Sequence, residues 1–170
     1  MRFSFLLIPL LAVASMSLGA ANTPKQTKDR EEGKVLQLVS ALEVNPLDQE
    51  APAVRASLIR WAEATPNYTV MVCSDILGPI PEKDVPYGPE LLAQQMFGNV
   101  AYQIKNPTVT DNFSFQMAGL ESALRTYSVI LASDPKARIP YFDNLLVKQK
   151  KGELKTYMKP VVLKGCSDNE

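Results

Sequence analysis

Proline placement is the feature that most limits what this chain can fold into. Apolar residues recur at helical spacing in blocks, and prolines stand between the blocks or in a first helical turn, where a missing N–H costs least. Val35, Leu38, Val39 and Leu42 form the first stripe, closed by Asn45-Pro46. A second starts near Asp48, accepts Pro52 in its first turn, carries Val54, Leu58, Trp61 and Ala62, and stops at Thr65-Pro66. The third opens at Gly88-Pro89 and runs through Leu92, Met96, Phe97, Val100 and Ile104 to Asn106-Pro107. The fourth, Phe113, Leu120, Leu124, Tyr127 and Leu131, spans about five turns and ends before Asp134-Pro135. The fifth begins at Pro140 with Tyr141, Phe142, Leu145 and Leu146. It closes on Lys148, Lys150, Lys151 and Gly152, cations in the last turn and glycine just beyond it. Residues 68–73, YTVMVC, are too short for periodicity to separate an extended segment from a buried helical turn. Residues 78–89, with four prolines and two glycines, read as a stiff irregular loop. No alternating run is long enough for a sheet. The expected class is all-α, as antiparallel helical hairpins or a small helical bundle.

The chain opens with an Arg, an apolar run from Phe3 to Val13, and then Ser15, Ser17, Gly19, Ala20 and Ala21. That order is expected of a secretory signal over residues 1–21. A retained membrane anchor competes, but the run is short for a span and Pro9 interrupts it. Residues 22–31 are polar and read as a flexible lead-in, and 32–170 as one domain. Export puts Cys73 and Cys166 in an oxidising compartment, periplasmic or extracellular, where an even count favours a disulfide. Closing so long a loop removes roughly 4–5 kcal/mol of denatured-state entropy in the chain-entropy model, and its expected role is to pin the C-terminal tail to the body.

Composition removes whole classes of chemistry. The chain has no histidine, so triad hydrolysis and HExxH zinc sites are impossible. Two cysteines cannot build an all-thiolate metal site. Eighteen basic and eighteen acidic side chains give zero formal charge, which argues against nucleic acid as a partner. No metal-loop or phosphate-loop spacing occurs, so no metal or cofactor is expected. Asp48, Asp111 and Asp134 sit at helix starts, where carboxylates cap free N–H groups, and Glu121 lies four residues before Arg125, the spacing of a helix-surface ion pair. Asp75, Glu82 and Asp84 around the proline loop have no such local role. They sustain an alternative reading as a small cell-envelope hydrolase. Lys148, Lys150, Lys151, Lys155, Lys159 and Lys164 read as a helix end followed by a solvated tail.

Residues from Met96 to about Leu154 carry a further pattern. Phe97-Gly98 is followed by Tyr102; Ala123, Tyr127 and Pro135 follow at spacings of four and then eight; Tyr141 opens the next block. This resembles a tetratricopeptide repeat, whose paired helices place Leu-Gly and Tyr in the first, Ala and an aromatic in the second, and Pro at the close. The link from Asn106 to Asn112 is longer than a repeat's, and Ile130 replaces a small residue. The resemblance implies a protein- or peptide-binding module without catalytic activity, its groove positions falling on Gln95, Asn99, Tyr102 and Gln103.

Overall fold

The computed structural model describes residues 23–70, 72–80, 82 and 84–166. Six α-helices and one short 3-10 turn make up its regular structure, with no strand among the described residues: α1 Pro24–Val44, α2 Ala51–Ala64, the turn at Ser74–Leu77, α3 Gly88–Lys105, α4 Asn112–Ser133, α5 Pro140–Lys150 and α6 Leu154–Gly165. The class is all-α, as the stripes and prolines indicate. Pro52, Pro89 and Pro140 each occupy a first helical turn. Residues 68–70 and 72–73 are not helical. The leader expected at 1–21 lies outside the described residues.

Two segments differ from expectation. Helix α1 begins at Pro24, so residues 24–31 are helical rather than a loose lead-in. A capping box does this: Thr23 Oγ1 accepts from Gln26 N (3.3 Å) and Gln26 Oε1 accepts from Thr23 N (2.9 Å). Lys28 then pairs with Glu32 at 3.5 Å, and Glu32 accepts from the Tyr68 hydroxyl. The second difference is α6, where a solvated tail was expected. Leu154, Met158 and Val162, four residues apart, are buried on one side of it, while Pro160 faces solvent, where its missing N–H leaves no buried carbonyl unpaired.

Gly152 explains how α6 returns to the body. It sits at φ +74°, where a side chain would be strained; its N–H bonds to Gln149 O (3.0 Å) and the N–H of Glu153 to Lys148 O (2.9 Å). That is the Schellman geometry of a glycine stop, and it turns the chain sharply after α5. The expected bridge is present: Cys73 and Cys166 are joined, both buried, with Cα atoms 5.3 Å apart, and they tie the end of α6 to the strand-like segment before the 3-10 turn.

The apolar side chains bury into two clusters. One gathers Val35, Val39, Leu42, Leu58 and Phe97 from α1, α2 and α3. The other gathers Ile76, Leu77, Leu120, Leu124, Tyr127, Phe142, Leu145 and Met158 from the turn and from α4, α5 and α6. Between them α3 and α4 pack antiparallel, since Gln94 meets Ser122, Gln95 meets Gln116 and Tyr102 meets Phe115. Small residues set the separation: a Cβ on Gly98 would lie 2.3 Å from Ser122 Cβ, and one on Gly119 would lie 2.5 Å from the Gln95 carbonyl oxygen.

A candidate binding cleft between three helices

Close approach of α3 and α4 needs small residues, and the same residues leave a gap where α1 crosses the pair. Gly98, Ala101 and Ala118 floor a cleft of about 180 Å3, with Leu36, Val39, Ser40 and Glu43 of α1 as one wall and Tyr102, Lys105, Glu121 and Arg125 as the other. A second hollow of about 70 Å3 continues past Tyr102 to Phe113, Ser114, Met117 and Lys155. Tyr102, Ala118 and Glu121 line both, so the two hollows share these side chains as a common border. The Tyr102 ring rests edge-on against Phe115, centroids 6.2 Å apart, which limits its swing.

A polar clamp holds the wall in place. Arg125 donates from Nε and Nη2 to Glu43 Oε2 and Oε1 at 2.9 and 2.8 Å, a two-pronged pair that fixes both planes. Glu43 also accepts from the Ser122 hydroxyl, whose oxygen accepts from Gln94 Nε2 at 2.9 Å. Burial pushes the Glu43 carboxyl up, but hydrogen bonds from Arg125 and Ser122, with the charges of Arg125 and Lys105, outweigh it and hold the group below the ordinary carboxylate value. A carboxylate so stabilised is a poor base, and Ser122 is fully buried. The constellation therefore serves position rather than nucleophilic attack.

Arg125 thus reaches back to α1 rather than to Glu121, four residues away on its own helix. Among the described residues Glu121 makes no ion pair. It lines the cleft, as Lys105 does, within the field of Arg125, and the two give the cleft groups of opposite sign.

The four residues picked from sequence divide. Tyr102 lines the cleft. Gln103 is half-buried, its Nε2 donating to Thr69 O at 2.9 Å and to Asn99 Oδ1 at 2.7 Å, so it ties the backbone at Thr69 to α3. Gln95 and Asn99 are 0% and 1% exposed; Gln95 packs against α4, and Asn99 is buried with Gln103 as its partner. Gln95 Nε2 donates to Gln116 Oε1 (2.9 Å), Gln116 to Asn112 Oδ1 (3.2 Å), and Asn112 to the Cys166 carbonyl (2.6 Å). Amides bury readily when amides meet them, and this chain of them runs from α3 to the disulfide. The pairing of Glu43 with Arg125 carries no signal in the sequence, where Arg125 reads as the partner of Glu121, because only the fold brings α1 beside α4.

The acids of the alternative reading lie elsewhere. Asp75, Glu82 and Asp84 are all exposed, and the Asp75 carboxylate packs against Gly165 at the end of α6. Among the described residues no group of three acids or thiols is placed to hold a metal ion, and no helix is long and apolar enough to cross a membrane. Comparison with protein-family models, with curated proteins and with solved structures finds no match to this chain.

Proposed function

We propose that this is an exported helical binding module, without turnover of its own, that takes a peptide segment of a protein partner into the cleft at Tyr102. The observation that carries the reading is the shared phenol: Tyr102 borders two adjacent hollows, with Lys105 lining the larger and Glu121 both. A peptide offers backbone amides to the hydroxyl, apolar side chains to the ring, and charges of both signs to the walls. The clamp of Glu43, Ser122 and Arg125 keeps the cleft pre-formed, which lowers the entropy lost on binding. The tetratricopeptide-like arrangement belongs to the same proposal, supported by Gly98 closing on Ser122 in the antiparallel α3–α4 pair. Export is supported by the leader-like 1–21 and by the disulfide.

A photo-crosslinking residue at position 102, with a second placed at the exposed Arg60 on α2 as control, tests this in intact cells of the source organism. One partner, joined at 102 and not at 60, is the expected result. No adduct at 102, or the same adduct from both positions, contradicts it.

A further inference from the structure

Helix α6 carries a surface that the cleft does not use. Between Lys148 and Lys164 the sequence holds six lysines and one acid, Glu153, a local excess of five positive charges in a chain that is neutral as a whole. The fold sets Lys159 and Lys164 on one side of α6 and brings Lys148 of α5 against the same helix. Leu154, Met158 and Val162 turn inward, so Thr156, Lys159, Pro160, Leu163 and Lys164 take the outer side of α6. Lys148, from the end of α5, lies over the ring of Tyr157 at 4.0 Å, which joins the two helices into one face. Apolar side chains are exposed beside these cations: Leu163, next to Lys164, is 62% exposed and Tyr157, under Lys148, 43%, while Val147, 53% exposed, precedes Lys148 on α5. The disulfide at Cys166 fixes the end of α6, so this face is presented rigidly.

We infer that the α5–α6 face docks on the surface of a bilayer rich in anionic phospholipid, with α6 lying in the plane of the interface. Charge complementarity names the partner. Clustered lysines gain from a negative leaflet within a screening length of roughly 8–10 Å. The apolar residues decide between a membrane and a soluble polyanion. A nucleic acid or acidic polysaccharide offers Leu163 and Val147 nothing, whereas the boundary between headgroup and acyl chain accepts leucine, valine and tyrosine side chains beside lysines that stay in the headgroups. The acids near the face are Glu153 at the start of α6, Asp75 against Gly165, Glu121 across the second hollow from Lys155, and Asp143 one turn before Val147 on α5, where it pairs with Arg138; Asp168 and Glu170 lie outside the described residues. Lys155 borders the second hollow, so docking holds the cleft close to the membrane.

The test uses the full chain with Leu163→Trp, and vesicles of phosphatidylcholine with or without phosphatidylglycerol, containing brominated acyl chains that quench tryptophan on contact. Trp61, on α2, is the internal control, and the unsubstituted chain reports it alone. Quenching at position 163 on anionic vesicles, absent for Trp61 and released by salt, is expected. Lys159→Gln with Lys164→Gln lowers partitioning roughly 25-fold, from about fivefold per lysine. Lys25→Gln with Lys34→Gln, exposed on α1, leaves it unchanged. Leu163→Ser lowers it about tenfold at constant charge. Equal quenching on neutral vesicles, none on anionic ones, or equal quenching of Trp61 overturns the inference. So does heparin binding that Leu163→Ser leaves intact while the vesicles stay unbound, which would assign the face to a soluble polyanion.

Discussion

Gly98→Ala sets two well-known effects against each other, and the structure says which wins. Placed inside α3, alanine gains about 1 kcal/mol over glycine from backbone entropy alone. The new Cβ would lie 2.3 Å from Ser122 Cβ, 2.8 Å from Ser122 Oγ and 3.2 Å from the Ala118 carbonyl oxygen. A Cβ sits one bond from the backbone, so no rotamer change relieves the first contact; the helices must separate. Overpacking of this kind costs about 1–3 kcal/mol. The separation also draws Gln94 away from Ser122, which loosens the clamp on Glu43. We therefore expect a net loss of about 1–2 kcal/mol, read as a fall of roughly 3–8 °C in Tm by circular dichroism with the disulfide intact. In a Ser122→Gly background the same substitution should cost at least about 1 kcal/mol less, since the clashing atom is gone. A Gly98→Ala protein more stable than its parent would refute the close crossing of α3 and α4.

Other perturbations follow from the clamp, the bridge and the buried phenol. Glu43→Gln should cost about 1 kcal/mol at neutral pH, small because the Arg125 side chain is 53% exposed and screened by solvent. Because the folded carboxyl is held below its ordinary value, that stabilisation is present above the ordinary carboxylate range and lost as pH falls through the lowered value; the gap between parent and variant in urea melts should close with acid. Cys73→Ser with Cys166→Ser removes a closure spanning 93 residues and should cost about 4–5 kcal/mol in the chain-entropy model, with amide exchange of α6 rising first. Burial, with the nearby charges of Tyr157 and Asp75, pushes the Tyr141 hydroxyl up to about 12. The Tyr68, Tyr87 and Tyr127 hydroxyls are pushed up as well, by burial and by hydrogen bonds to acids, so alkaline titration by ultraviolet absorbance should show several late phenolates, of which Tyr141→Phe removes one; the Tyr141 contribution to stability is full below the ordinary tyrosine value and is lost as pH rises through the raised one.

Much of the helix layout is legible in the residues because prolines are local devices. Pro52, Pro89 and Pro140 act within one helical turn of themselves, and so do Gly152 and the capping Asp111, which accepts from Ser114 N. The disulfide is legible by count and compartment. Pairing across distance is not. The polar lead-in before Val35 becomes helix through a two-residue capping exchange and through Glu32 meeting Tyr68, 36 positions away. Helix α6 offers only three buried apolar positions, with a proline and three lysines among them, so its stripe does not stand out until the second cluster is there to cover it. Gln95 and Asn99 look like an exposed polar face because amides are usually wet; here Gln116 of α4 accepts from Gln95 Nε2 and Gln103 donates to Asn99, while Gln95 Oε1 is buried without a partner. Tyr102 falls in the cleft with Lys105 of its own helix, but Glu43 comes from α1, about sixty positions earlier, and Glu121 and Arg125 from α4.

Partner recognition at Tyr102 is where the account is most exposed. The most direct measurement is a calorimetric titration of the partner recovered by crosslinking, against the parent chain and against Tyr102→Ala, with melting curves to show that the fold is kept. Loss of a well-packed aromatic contact of about 2 kcal/mol or more weakens the Kd by at least about thirtyfold, and that is the predicted result. An unchanged Kd with an intact fold would contradict it.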